Sequence, residues 1–161
     1  MRLGKQKETG VVGLDIEAGS LAATEVSVNG STRITASAIG PLDPGAFHEG
    51  EVLDADILAA SLKELFAEHK LSKRVRLGVG NQRVVVRTVR LPAIEDRKEM
   101  EAAVRFQAQE QMPMPLDQAV LEHHSLGVVE TEEGPRVRVV LVAARKDMIE
   151  SLLEALRRAR R

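Results

Sequence analysis

The alternation of apolar and polar positions divides the chain into short strands and three longer helical stretches. Gly10-Val11-Val12-Gly13-Leu14-Asp15-Ile16 predicts a short buried strand that ends in a loop. A second strand is predicted from Leu21 to Val28 and a third from Thr32 to Ile39. Between them Asn29-Gly30 supplies the residues that a tight hairpin turn favours. Gly40-Pro41-Leu42-Asp43-Pro44-Gly45 is a loop by composition, because glycine and proline interrupt both regular periods. From Asp54 to His69 the period changes. Ile57, Leu58, Ser61, Leu62, Leu65 and Phe66 recur at helical spacing and form one apolar stripe.

Val75 to Gly80 predicts the next strand, and Asn81-Gln82 turns the chain into a further one from Val84 to Leu91, closed by Pro92. The segment Gly78 to Arg83 therefore reads as a hairpin turn. Asp96 to Gln111 predicts a helix with Met100, Ala103, Val104 and Gln107 on one face. Met112-Pro113-Met114-Pro115 stops it, since neither proline can donate to the helical ladder. Ala119 to Val129 is extended, Glu130 to Pro135 is an acidic turn, and Arg136 to Ala144 is a strand. A last helix over Lys146 to Arg160 buries Met148, Ile149, Leu152, Leu153 and Leu156. Three strands, helix, two strands, helix, two strands, helix describe an α/β chain with a mixed sheet.

Composition narrows the function. The chain has 161 residues, 43% of them hydrophobic and 29% charged, enough for a packed core. Its 23 basic and 24 acidic side chains leave a net charge of −1, which excludes the global field of a nucleic-acid binder. There is no cysteine, so disulfides, thiolate chemistry and cysteine zinc sites are absent. With three phenylalanines and no Trp or Tyr, the core is aliphatic and no base-stacking platform can be built. No apolar run approaches the roughly 20 residues of a membrane span, and no export signal is visible, so a cytoplasmic chain is expected.

Little in the chain suggests catalysis or metal binding. His123 and His124 are adjacent in a predicted strand and so point to opposite faces, which prevents shared chelation. No G-x-S-x-G motif occurs. Gly78-Val79-Gly80-Asn81-Gln82-Arg83 carries two glycines of a dinucleotide fingerprint but leads into a strand rather than a helix. Arg157, Arg158, Arg160 and Arg161 form the densest basic cluster, where cations favour the dipole of a helix C-terminus and also suit an anionic surface.

Two stretches carry a family likeness. The opening Val11 to Val26 (VVGLDIEAGSLAATEV) resembles the first strand and phosphate-facing loop of the actin-like ATPase superfamily. The middle, from Leu77 to Gly127, resembles the PilM family of type IV pilus assembly, itself similar to the cell-division protein FtsA. The features that carry it are a strand ending in Leu91-Pro92, the helix Glu99-Met100-Glu101-Ala102-Ala103-Val104-Arg105-Phe106, the Met-Pro-Met-Pro break, and the strand Leu116-Asp117-Gln118-Ala119-Val120. The later Val139 to Ala159 is similar too, so the likeness covers nearly the whole chain from Val11.

The resemblance implies the first half of an actin-like fold. Its expected divisions are a flexible N-terminus at residues 1–10, a core subdomain at 11–82 and 145–161, and an inserted small subdomain at 83–144. The truncated sheet leads to an expectation of self-association through an uncovered edge strand. In the longer family ATP and Mg are bound; for this span alone no cofactor and no catalysis are expected. Asp15, Gly19 and Ser20 fall at the phosphate-loop positions, where an Asp holds Mg through water and backbone amides meet phosphate. Two departures weigh against it: Glu17 stands where the family has Gly, and Ala22 where it has Lys. Read from the residues alone, Asp15 equally ends a strand and Glu17 equally sits in solvent.

The resemblance further implies a scaffold that holds the short cytoplasmic N-terminal peptide of a PilN-like inner-membrane protein and links it to the pilus assembly ATPases. That makes the protein peripheral to the membrane through its partner. Met100, Val104, Gln107, Gln111 and Met112 would line the peptide groove, the thioethers giving an adaptable apolar wall. Met100, Val104 and Phe106 equally read as core. An ATP-hydrolysing enzyme, or a related scaffold of cell division or type II secretion, are the alternatives.

Overall fold

The computed structural model describes residues 10–161. The expectation of a flexible segment at residues 1–10 falls, apart from Gly10, outside the described residues. The elements run β1 (Val11–Glu17), β2 (Ser20–Asn29), β3 (Ser31–Pro41), β4 (Phe47–His48), β5 (Glu51–Val52), α1 (Ala55–Glu68), β6 (Val75–Leu77), β7 (Val84–Pro92), α2 (Arg97–Gln111), β8 (Ala119–Thr131), β9 (Gly134–Arg145) and α3 (Lys146–Arg160). A single 3-10 turn at Leu116–Gln118 precedes β8. The chain is a mixed α/β fold in two compact units, one formed up to Asn81 together with Glu150–Arg161, the other by Gln82–Ile149. The second division thus falls inside α3.

In the first unit the sheet order is β3-β2-β1-β6. β1 and β2 are antiparallel, closed by Ala18-Gly19 with Glu17 opposite Ser20, and Gly19 takes φ 85° to make the turn. β2 and β3 form the hairpin at Gly30 that the Asn-Gly pair predicts, with a bulge at Thr35 between the pairs Glu25–Ala36 and Val26–Ile34. β6 lies parallel to β1 after α1. Along β1, Val12, Leu14 and Ile16 are buried while Gly13, Asp15 and Glu17 are exposed, the period of two that a one-sided sheet requires. α1 begins at Asp54, whose carboxylate accepts from the amides of Asp56 and Ile57, a cap worth about 1 kcal/mol. It buries Leu58, Leu62 and Leu65, and the Leu65 methyl reaches so close to β3 at Gly40 that a Cβ there would lie 2.9 Å away. The Glu25 carboxylate accepts from Ser72 N at 2.8 Å and so ties the approach to β6 onto β2.

The second unit is a three-stranded antiparallel sheet, β7-β9-β8, covered on one face by α2. Its core joins Val89 and Leu91 of β7, Val139, Leu141 and Ala143 of β9, Ala119 of β8, and Val104, Ala108 and Met112 of α2 and its end. α2 is capped by Asp96, which accepts from Lys98 and Glu99 amides.

Two expectations are corrected. Gly78–Arg83 is no hairpin turn: β6 pairs with β1 while β7 pairs with β9 in a different sheet, so the segment carries the chain from one unit into the other. The strand predicted over Val75 to Gly80 is accordingly short, because only Val75–Leu77 has a neighbour to pair with. The small β4–β5 ladder, Phe47 opposite Val52, falls in a stretch for which no strand was expected.

Candidate functional site

The first site lies in the first unit. β1 and β6 are parallel and end side by side, and the ends of parallel strands are where α/β sheets form ligand crevices. A cleft of about 670 Å³ opens there. Its walls are Asp15–Ala18 from the end of β1, Phe47–Gly50 from the β4–β5 turn, Leu77–Asn81 from the end of β6, and Leu152. The turn is held by two consecutive left-handed residues, Glu49 at φ 48° and Gly50 at φ 83°, and the Asn81 amide sits over Gly50 where a Cβ would collide with it.

Of the three phosphate-loop residues expected from sequence, Asp15 lines this cleft and is exposed. Gly19 and Ser20 do not line it. The Gly19 carbonyl instead accepts from Leu42 N at 3.0 Å, and Ser20 closes the hairpin opposite Glu17. The charge of the cleft comes from Asp15, Glu17 and Glu49, with His48 3.8 Å from Glu49 and no Lys or Arg among the lining residues. Ala22, opposite Asp15 in the β1–β2 ladder, presents only a methyl group. Among the described residues that line the cleft a polyphosphate would meet three carboxylates and no Lys or Arg, a donor set that fits a nucleotide poorly.

The second site lies in the second unit, along α2. Met100, Val104, Gln107 and Gln111 follow one another at helical spacing but differ in access. Val104 is 2% exposed and Met112 7%, both within the core cluster. Met100 packs half-buried against that cluster. Gln107 is half-buried and donates from Nε2 to Glu110 Oε2 at 3.3 Å, and Gln111 is exposed. Met100, Gln107 and Gln111 are thus reachable from solvent, while Val104 and Met112 hold the helix to its sheet. Phe106, which reads as core from the sequence, is instead 60% exposed on α2. His123 and His124 are exposed on neighbouring positions of β8, and no cluster of metal-ligating side chains occurs among the described residues.

Sequence reasoning missed the Phe47–Gly50 wall of the cleft. The signal available was Glu49-Gly50 between two short polar-apolar pairs, too brief to establish a period.

A family model described as type IV pilus assembly protein PilM matches residues 13–160. A solved PilM-PilN type IV pilus biogenesis complex contains a chain 35% identical to this one, with a TM-score of 0.81 over 94% of this chain and 45% of that one. The described protein thus spans less than half the length of that relative. A Bacteroides thetaiotaomicron protein with an actin-like ATPase fold and unknown function is 12% identical, with a TM-score of 0.44 over 96% of this chain and 52% of that one, too loose a likeness to bear on the fold.

Proposed function

The chain belongs to the type IV pilus assembly protein PilM family, and from that membership we propose that it is a scaffold for a short peptide of a PilN-like inner-membrane protein. The observation that supports this most is the 0.81 match of nearly the whole chain to a PilM-PilN complex at 35% identity. An extended peptide gains affinity from a rigid, preformed wall, because little of its own ordering cost is added to that of the protein. The wall proposed here is α2, through Met100, Gln107 and Gln111, with Val104 and Met112 fixing the helix from beneath. Such docking would bring the protein to the inner membrane through its partner and join that partner to the assembly machinery. No described helix is long and apolar enough to cross a membrane.

The test is a calorimetric titration with the N-terminal cytoplasmic peptide of a PilN-like protein. Saturable one-to-one binding without nucleotide is expected. Absence of heat at high peptide concentration overturns the docking role of this span. We further propose that the span itself does not hydrolyse ATP, because Asp15, Glu17 and Glu49 are among the described residues that line its crevice and no Lys or Arg is.

A further inference from the structure

The face of the second unit's sheet that α2 does not cover carries a row of unmatched positive charge. Its positions alternate with those of the core: Val86, Thr88 and Arg90 on β7, and Val142, Val140 and Arg138 on β9. Arg90 stands directly opposite Arg138 in the ladder, and both are exposed. Like charges at directly opposed positions, with Cβ atoms about 5 Å apart, destabilise a sheet. Neither guanidinium has a carboxylate in reach among the described residues, whereas Arg136, opposite Pro92, is bound to Glu133 at 2.7 Å. The row continues onto β8 as a bulge: between the pairs Ser125–Val139 and Val128–Val137, Leu126 and Gly127 together oppose Arg138. Gly127, at φ 102°, leaves open space where a side chain would stand. Bulges of this kind re-aim side chains beside binding sites.

Next to the arginines the same face is apolar. β9 reads Val139-Val140-Leu141-Val142-Ala143-Ala144 without a polar residue, although an antiparallel strand with one solvated face alternates. Val86 on the neighbouring strand is 53% exposed. Continuous apolar runs mark strands that are covered on both sides. Both connections of this unit, at Gln82 and Ile149, lie inside the chain, so the strand order and the arginine row are the unit's own.

We propose that this face binds an acidic segment of a protein partner, with apolar side chains against Val86, Val140 and Val142 and carboxylates on Arg90 and Arg138. Each guanidinium offers a planar fork that a carboxylate matches with two hydrogen bonds. The same face of a second copy would set arginine against arginine. An anionic bilayer would meet Glu130, Glu132 and Glu133, which the β8–β9 hairpin carries at the arginine end of the sheet. The proposal is independent of the pilus reading, since it uses no residue of α2.

The probe is a capped, fluorescein-labelled peptide of Leu and Val followed by two Glu, titrated with the full chain and read by anisotropy. Saturable binding that weakens as salt is raised is expected. Arg90→Glu gives Arg138 the opposite charge it lacks, so it should weaken binding about tenfold while the melting temperature holds or rises. Arg138→Gln, which removes the repulsion without adding a charge, should weaken binding in the same way. Titration with the PilN-like peptide should be unchanged in both variants, which keeps the two readings separable. Any of four results overturns the proposal: no saturation, equal binding of the same peptide with Lys for Glu, full affinity in both arginine variants, or co-pelleting with phosphatidylglycerol vesicles in place of peptide binding.

Discussion

Arg158 of α3 donates from Nη1 to Asp56 Oδ1 of α1 at 2.8 Å, a pair separated by 102 positions in sequence. The same guanidinium donates from Nε to Glu154 Oε1 at 3.0 Å, one turn back along α3. Held by Asp56 first and Glu154 second, the Arg158 guanidinium is shifted to a still higher pKa than usual. The contact is exposed, with 40% of the Arg158 side chain and 82% of the Asp56 side chain accessible, so water and salt screen it. Arg158→Ala should therefore lower the melting temperature only slightly, and raising the salt should abolish the difference. Leu62→Ala, on the buried side of α1 and 1% exposed, should cost about 2–5 kcal/mol by emptying a packed site. Thermal unfolding of the two variants at two salt concentrations checks the contrast.

Val104→Asp should unfold the second unit. The side chain lies among Val89, Leu91, Val139 and Leu141, where an unpaired charge costs several kcal/mol. Gln107→Ala and Gln111→Ala should leave the melting temperature almost unchanged and weaken binding of the PilN-like peptide. If Val104→Asp keeps its stability and loses only the peptide, Val104 belongs to the groove and the core assignment fails.

Asp147 at the start of α3 governs a pH response. Its carboxylate is bound by the Arg145 guanidinium, Nε to Oδ1 at 2.9 Å and Nη2 to Oδ2, and accepts from Met148 N at 2.8 Å. The Arg145 hydrogen bonds hold its pKa below the ordinary value, with the Met148 amide and the charges of Arg145 and Arg83 adding to the effect against a smaller penalty from burial. A carboxyl whose folded pKa is depressed stabilises the fold above its unfolded pKa and loses that contribution as pH falls through the folded one. Stability should accordingly drop as the pH goes below about 4, and Asp147→Asn should show a shallower drop. Melting temperatures between neutral and acid pH measure the difference in slope.

The acidic cleft should not bind Mg-ATP measurably. Converting Glu17→Gly with Ala22→Lys removes one carboxylate and sets an ammonium on the strand opposite Asp15, at a Cβ separation of about 5 Å. The double variant should gain nucleotide affinity over the parent in an equilibrium titration. Tight binding by the parent would show that carboxylates in this crevice do not exclude phosphate.

Much of the fold was open to reading because its signals are local. Asp54 and Asp96 mark helix starts by a carboxylate that reaches its own next turn, and Asn29-Gly30 marks a hairpin within two residues. The β6 pairing was not readable. Its partner β1 lies some sixty positions earlier, and nothing in Val75–Leu77 distinguishes a strand that pairs forward from one that pairs back. α2 shows the matching limit for the site. Met100, Val104, Gln107 and Gln111 share a spacing whether the stripe faces a core or a ligand, and only the sheet beneath settles that Val104 is inside. For the cleft, sequence placed Asp15 but could not place Glu49, because the β4–β5 turn that brings it there is only two residues wide.

The aliphatic interior has an optical consequence. With no Trp or Tyr anywhere in the chain, the protein is nearly blind at 280 nm, and its unfolding emits no intrinsic indole signal. Its phenylalanines happen to sit at separate stations: Phe47 on the wall of the acidic cleft, Phe66 half-buried on α1, Phe106 on the open side of α2. A single Phe→Trp exchange at any one of them installs the sole fluorophore of the molecule at a known address. Three single-site reporters can thus be made, each watching one surface against a dark background.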